Sequence, residues 1–196
     1  MVPARDLFAE VASLDEPPLS VSACLDAAAR CIGRQGLSRT SVPDVARELG
    51  VSRGTVYRQV GPMPVVVRLL LRRELGRVLA QAAIPDDTVD ADGVVNLMEG
   101  VVLGVRGNAV LHRVLTEELA TVGVGLLESL PGNVRVLTGF LSSVLASAMD
   151  AGRLARRDPD VVAEWLVRMC FSLALTPSPR PPRAFFAEVV LPVLRP

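Results

Sequence analysis

"TSVPDVARELGVSRGTVYRQV", residues 40–60, decides the architecture of this 196-residue chain. Ser41 is suited to cap a helix, Pro43 falls in its first turn, Asp44 is favourable there, and Gly50 supplies a stop. Ser52 then caps another short helix, which ends before Gly61 and Pro62. Helices of about two turns each, joined through Gly50-Val51-Ser52, form a helix-turn-helix. Its second helix carries Tyr57, the one tyrosine of the chain, among Arg53, Thr55, Arg58 and Gln59. Such a helix lies in the DNA major groove with its N-terminal residues facing base edges. There Arg53 reaches guanine, and Thr55 reaches a base methyl, a base edge or a phosphate. Gly54 lets the backbone approach closely. Tyr57 and Arg58 face the groove wall, where a phenol or guanidinium bonds phosphate. The amides and hydroxyls of Thr40 and Ser41 are suited to a further phosphate.

Working outward, "LSVSACLDAAARCIGRQG" from Leu19 sets Leu25, Ala28, Ala29 and Ile32 on one helical stripe, closed by Gly36. On the other side "PVVVRLLLRRELGRVLAQAA" is a longer helix with apolar positions at three- and four-residue steps. The acidic link "IPDDTVDADG" opens a second helical region. Its expected helices are "VVNLMEGVVLGVRG", "NAVLHRVLTEELATVGVGLLESL", "NVRVLTGFLSSVLASAMDAG", "DPDVVAEWLVRMCFSLAL" and a closing "RAFFAEVVLPVLRP", with breaks at Gly, Pro and Asn. No stretch keeps a period of two, so the fold class is all-α. The reading divides the chain into an acidic, Pro-bearing N-terminal arm (1–18), a helix-turn-helix module (19–63) and a helical region (64–196).

Charge is distributed in the same way. Residues 19–80 hold ten arginines against four acids, a net of +6, while residues 1–18 and 81–196 each carry −3. A basic module fused to an acidic region fits a polyanionic partner for the former. Every basic residue is arginine, which we attribute to codon bias. Neither a signal peptide nor an apolar run of the ~18 residues that span a membrane is evident, so a cytoplasmic, soluble protein is expected. Cys24 and Cys31 are separated by ~10 Å along one helix, too far to bridge. The three cysteines are expected as buried apolar residues, with a redox switch at Cys170 the alternative. His112 is the one histidine. No histidine metal cluster and no phosphate loop is present, and the Gly-x-Ser-x-Gly at residues 50–54 joins two helices with no strand before it, so it is not a nucleophile elbow. No catalytic residue, metal or cofactor is expected, and the chain does not read as an enzyme.

Residues 20–72 resemble the DNA-binding domain of bacterial TetR-family transcriptional regulators. Thr40, Ser41, Val45, Ala46, Gly50, Val51, Ser52, Gly54, Thr55 and Tyr57 match the family pattern, and the resemblance makes Tyr57 a phosphate contact. "AGRLARRDPDVVAEWL" is also similar to a segment frequent before the family's penultimate helix. The family usually follows the recognition helix with an aromatic residue and then a phosphate-contacting lysine. Val60-Gly61-Pro62-Met63 has neither, which removes one implied backbone contact, with Arg68 a candidate substitute.

The resemblance implies that the second region binds an effector and forms a homodimer. Candidate pocket residues are Met98, Val102, His112, Leu115, Trp165 and Met169, which imply a small, largely apolar ligand. Candidate dimer residues are Phe140, Ser143, Val144, Leu145 and Ala148 on one helix, with Gly139, Ser142 and Ala146 allowing close approach. Val161, Trp165, Arg168 and Ser172 lie on the next, completing an intermolecular four-helix bundle. The function so implied is a dimeric, ligand-responsive regulator of operator DNA, acting as a repressor. The alternative is a helical binding or scaffold protein whose helix-turn-helix has lost DNA affinity.

Overall fold

Local capping sets the first helices. In a computed structural model, which describes residues 19–82, 89–117 and 119–196, helix α1 (Leu19–Gln35) ends at Gly36 in the left-handed conformation, φ 86°. The Ser41 amide and hydroxyl both donate to the Asp44 carboxylate, at 2.9 and 2.5 Å, and fix the start of α2 (Val42–Leu49). Gly50 (φ 68°) ends it, with the Gly50 and Val51 amides closing on the carbonyls of Arg47 and Ala46. Ser52 Oγ accepts from the Thr55 amide at 3.2 Å and caps α3 (Arg53–Gln59). Helix α4 (Met63–Ala82) follows.

Asp90 caps α5 (Ala91–Gly107), and Asn108 then caps the short α6 (Ala109–His112), bent 75° from α5 and continued as a π-helical turn through Glu117. Helices α7 (Leu119–Asp150), α8 (Pro159–Leu175) and α9 (Pro182–Leu194) complete the chain. Asp158 caps α8 by accepting from the amides of Asp160 and Val161. No strand occurs among the described residues, so the fold is all-α.

The expected break near Pro131-Gly132-Asn133 is absent, since α7 runs through it. A proline can bend a helix without ending it when packing holds the segments beside it, and the C-terminal half of α7 packs along α8. The interruption lies earlier, at Asn108 and the π turn, because Asn108 Oδ1 offers the Val110 and Leu111 amides a competing cap.

Two principal apolar cores result. Leu25, Ala28, Ile32, Val45, Val56, Val66 and Leu70 unite α1–α3 with the first half of α4. Val94, Met98, Val102, Leu145, Leu166 and Phe186 unite α5, α7, α8 and α9. The division therefore falls within α4, beyond the boundary drawn at residue 63. Val110 and Val114 insert into the first core from the α6 segment, and Arg113 donates to the Gly33 carbonyl at 2.9 Å. Buried Glu74 accepts from Arg73, Arg77 and Asn108, and Arg73 also meets Asp26 on α1 at 2.8 Å. Helix α4 runs against α5 where Gly100 and Gly104 leave room for Ala82 and Val78. The helix-turn-helix is thus held to the second region by α4 and by the α6 segment.

Candidate DNA interface

The seven residues of α3 have one buried member, Val56, which anchors the helix in the first core. Arg53, Gly54, Tyr57 and Arg58 are exposed, Tyr57 by 51%, and Thr55 is half-buried with its hydroxyl 3.0 Å from Ser52 Oγ. A Cβ at Gly54 would meet only Ser52 Oγ, at 3.7 Å. Nothing inside the protein therefore requires a glycine there. Gln59, noted beside Tyr57 in the sequence but given no contact there, is also exposed and accepts from the buried Cys24 thiol at 3.5 Å, tying the end of α3 to α1.

Helix α2 is fixed on α1 by Glu48, which takes Arg30 at 2.7 Å and Arg34 at 2.5 Å. Hydrogen bonds from Arg34 and Arg30 hold the Glu48 carboxyl down at about 2, so it stays ionised. The Asp44 carboxyl is likewise held low, first by the Ser41 hydroxyl.

Thr40 requires a correction. It is 6% exposed, its hydroxyl donates to the Gly36 carbonyl at 2.6 Å and its amide to Leu37 at 2.9 Å. With both donors engaged internally, it has none for a phosphate. Ser41 is exposed, but its two donors point to Asp44. Arg39, one residue before the matched motif, is exposed and was missed because it lies in a turn outside the helical pattern.

An apolar groove and a polar cleft do not gather the six pocket candidates, of which only Trp165 lines either. Met98 and Val102 are packed into the second core, Leu115 joins a small cluster with Val78, Val105 and Leu111, and His112 is exposed. Met169 and Trp165 are half-buried at the edge of that core. Trp165 instead lines an open apolar groove of about 310 Å³ with Val161, Val162 and Val193. A polar cleft of about 330 Å³ opens where Asp26, Arg73, Glu74 and Asn108 meet. All three cysteines are buried and free. Cys170 lies against Met98, and burial pushes its thiol up to about 12, which opposes a redox role.

On the proposed dimer face, Ala148 and Leu145 are fully buried in their own chain's core, a correction, and Ser142 is buried against Asp160. Phe140 and Val144 are half-buried, and Ser143 is exposed. Val161 (64%), Arg168 and Ser172 are exposed along α8, with Trp165 half-buried between them. Arg168 pairs with Glu164 at 2.6 Å.

Residues 25–59 match the family described as bacterial regulatory proteins, tetR family. An uncharacterized HTH-type transcriptional regulator of Mycobacterium bovis is 31% identical over 134 residues, 68% of this chain and 69% of that protein. The chain belongs to the TetR family. It is accordingly a transcriptional regulator of the helix-turn-helix type. Among solved structures, Salmonella enterica GusR superposes with a TM-score of 0.68 at 18% identity, over 90% of this chain and 98% of GusR. FadR from Bacillus subtilis, in complex with stearoyl-CoA, gives 0.65 at 16% identity, over 86% and 95%. At these identities the likeness is one of fold. Among the described residues no single helix of this TetR-family chain is long and apolar enough to cross a membrane.

Proposed function

We propose that the chain is a repressor that binds operator DNA as a dimer and releases it when a small, largely apolar effector binds. The observation that carries the DNA reading is α3, a helix with one buried residue and an exposed face of Arg53, Gly54, Tyr57 and Arg58. Arg53 reads a base edge near the start of the helix, with Thr55 and capping Ser52 beside it. Tyr57 and Arg58 bond the backbone. The row of Val161, Trp165, Arg168 and Ser172, next to Phe140, Ser143 and Val144, supports pairing of α7 and α8 with a second copy.

Two recognition helices in such a dimer enter successive major grooves when ~34–36 Å apart. Because α4 lies in the first core at its start and packs on α5 through Val78 and Ala82 at its end, a shift at its C-terminal end alters that spacing. The apolar interior between α5, α7 and α8 supports an apolar effector. Since Met98 and Val102 are close-packed there, the effector selects an expanded state and shifts the equilibrium only by its differential affinity. Effector and operator then weaken each other's binding by the same factor.

Selection of duplexes from a random pool by the protein tests the reading. The expected result is a two-fold symmetric sequence with half-sites about 10–10.5 base pairs apart and affinity falling steeply with salt. Failure to enrich any sequence, with salt-insensitive binding, would instead favour a helical scaffold that has lost DNA affinity.

A further inference from the structure

The arginines of the helix-turn-helix module fall into two groups. Arg30 and Arg34 meet Glu48, Arg47 meets Asp44, Arg73 meets Asp26 and Glu74, and Arg77 meets Glu74. Arg39, Arg53, Arg58, Arg68 and Arg72 are exposed and have no acidic partner among the described residues. The acids of the module are thus used on arginines that join its helices, or pair within one helix, and the unneutralised charge is left on the others. Arg53 and Arg58 belong to the recognition helix. Arg39 and Arg68 flank it in sequence, on the turn before α2 and on the second turn of α4.

We infer that Arg39 and Arg68 clamp the DNA backbone on either side of the recognition helix, which rests on the DNA-binding reading above and extends the contact surface beyond α3. The turn that carries Arg39 is pinned at every step. Gly36 donates to Ile32, the Thr40 amide to Leu37, the Thr40 hydroxyl to Gly36, and the Gln35 amide to the Arg39 carbonyl at 2.9 Å. The Arg39 guanidinium therefore projects from a fixed point. Thr40 acts here as a staple for its neighbour.

Arg68 stands ~7.5 Å along the axis from Met63. Helical side chains lean toward the N-terminus, so its guanidinium is directed back toward Gly61–Pro64, a stretch without charge beside the end of α3. Arg72 leans the same way from one turn further on and reaches only the level of Arg68, so it lies outside the clamp. A guanidinium fork matches two phosphate oxygens, which makes the DNA backbone the fitting partner for both residues.

The test is the salt dependence of binding to a mixed-sequence duplex, measured by fluorescence anisotropy. Each lost phosphate contact flattens the slope of log K against log salt by about 0.9 per protomer, which is about 3.5-fold in affinity for each roughly fourfold rise in salt. Arg39→Ala and Arg68→Ala should each flatten the slope, with equal loss on a selected operator and on the mixed duplex. Arg72→Ala should leave it unchanged. All three side chains are exposed, so circular-dichroism melts should match the parent. If the parent binds but either Arg39→Ala or Arg68→Ala retains the full slope, the clamp is overturned and the DNA reading stands. Equal flattening by Arg72→Ala also overturns the assignment. A parent that binds no duplex overturns the DNA reading itself.

Discussion

Replacing Gly104 by alanine probes how α4, the helix that leads from the first core to the second region, is seated against α5. A Cβ there would stand 2.7 Å from Val78 Cγ1, 3.4 Å from Cγ2 and 3.5 Å from Cβ. Carbon atoms in contact settle ~3.5–4.0 Å apart, so Val78 or its helix must retreat by about 1 Å. Val78 is buried and β-branched within a helix, so rotation about χ1 offers little relief. Overpacking of this kind costs about 1–3 kcal/mol, against about 1 kcal/mol gained when a helical glycine becomes alanine. Gly33→Ala is the control, because a Cβ there meets nothing within 4 Å and only the helical gain of about 1 kcal/mol applies. The two variants should therefore differ in stability by about 1–3 kcal/mol, with Gly104→Ala melting lower by about 2–4 °C for each kcal/mol. Thermal melts followed by circular dichroism read the difference. In a Val78→Ala background the clash with Cγ1 disappears, and Gly104→Ala should then stabilise. The reasoning is refuted if Gly104→Ala raises the melting temperature as much as Gly33→Ala while Val78 is still present.

Three further outcomes are expected. Tyr57→Phe should weaken DNA binding by about 1.5–3 kcal/mol on operator and mixed duplexes alike, with unchanged melting, and full affinity in an anisotropy titration would remove Tyr57 from the backbone contacts. Glu48, lowered from 4.5 to about 2 in the folded protein, contributes stability fully above pH 4.5, and that contribution is lost as pH falls toward about 2. Melting temperature against pH should be flatter for Glu48→Gln across that window, though only in part, since Asp44 is also held low; a curve as steep as the parent's would contradict the pairing. Val161→Glu places a carboxylate on the exposed α8 row and should lower the dimer fraction in light scattering without unfolding the chain, whereas an undiminished dimer would locate the interface elsewhere.

The helix-turn-helix was legible in the sequence because its determinants are local. Ser41 with Asp44, Gly50 in the left-handed conformation, Ser52 on the Thr55 amide and Asp158 at α8 each act across two to four residues, so their spacing alone places the helix ends. The exposed polar face of α3 follows from one apolar position, Val56, in seven residues. Tertiary structure decided what local rules leave open. Thr40 turned inward because Gly36 offered its hydroxyl a carbonyl acceptor. Helix α7 is apolar around much of its circumference, so periodicity groups Phe140, Val144 and Ala148 without saying which of them its own core takes, and that core took Ala148. The pairs that join the two cores, Glu74 with Asn108 and Val78 with Gly104, lie 34 and 26 positions apart. Caps and periodicity act over a few residues and carry no information on which distant side chains meet; those pairs are fixed by close packing when the cores assemble.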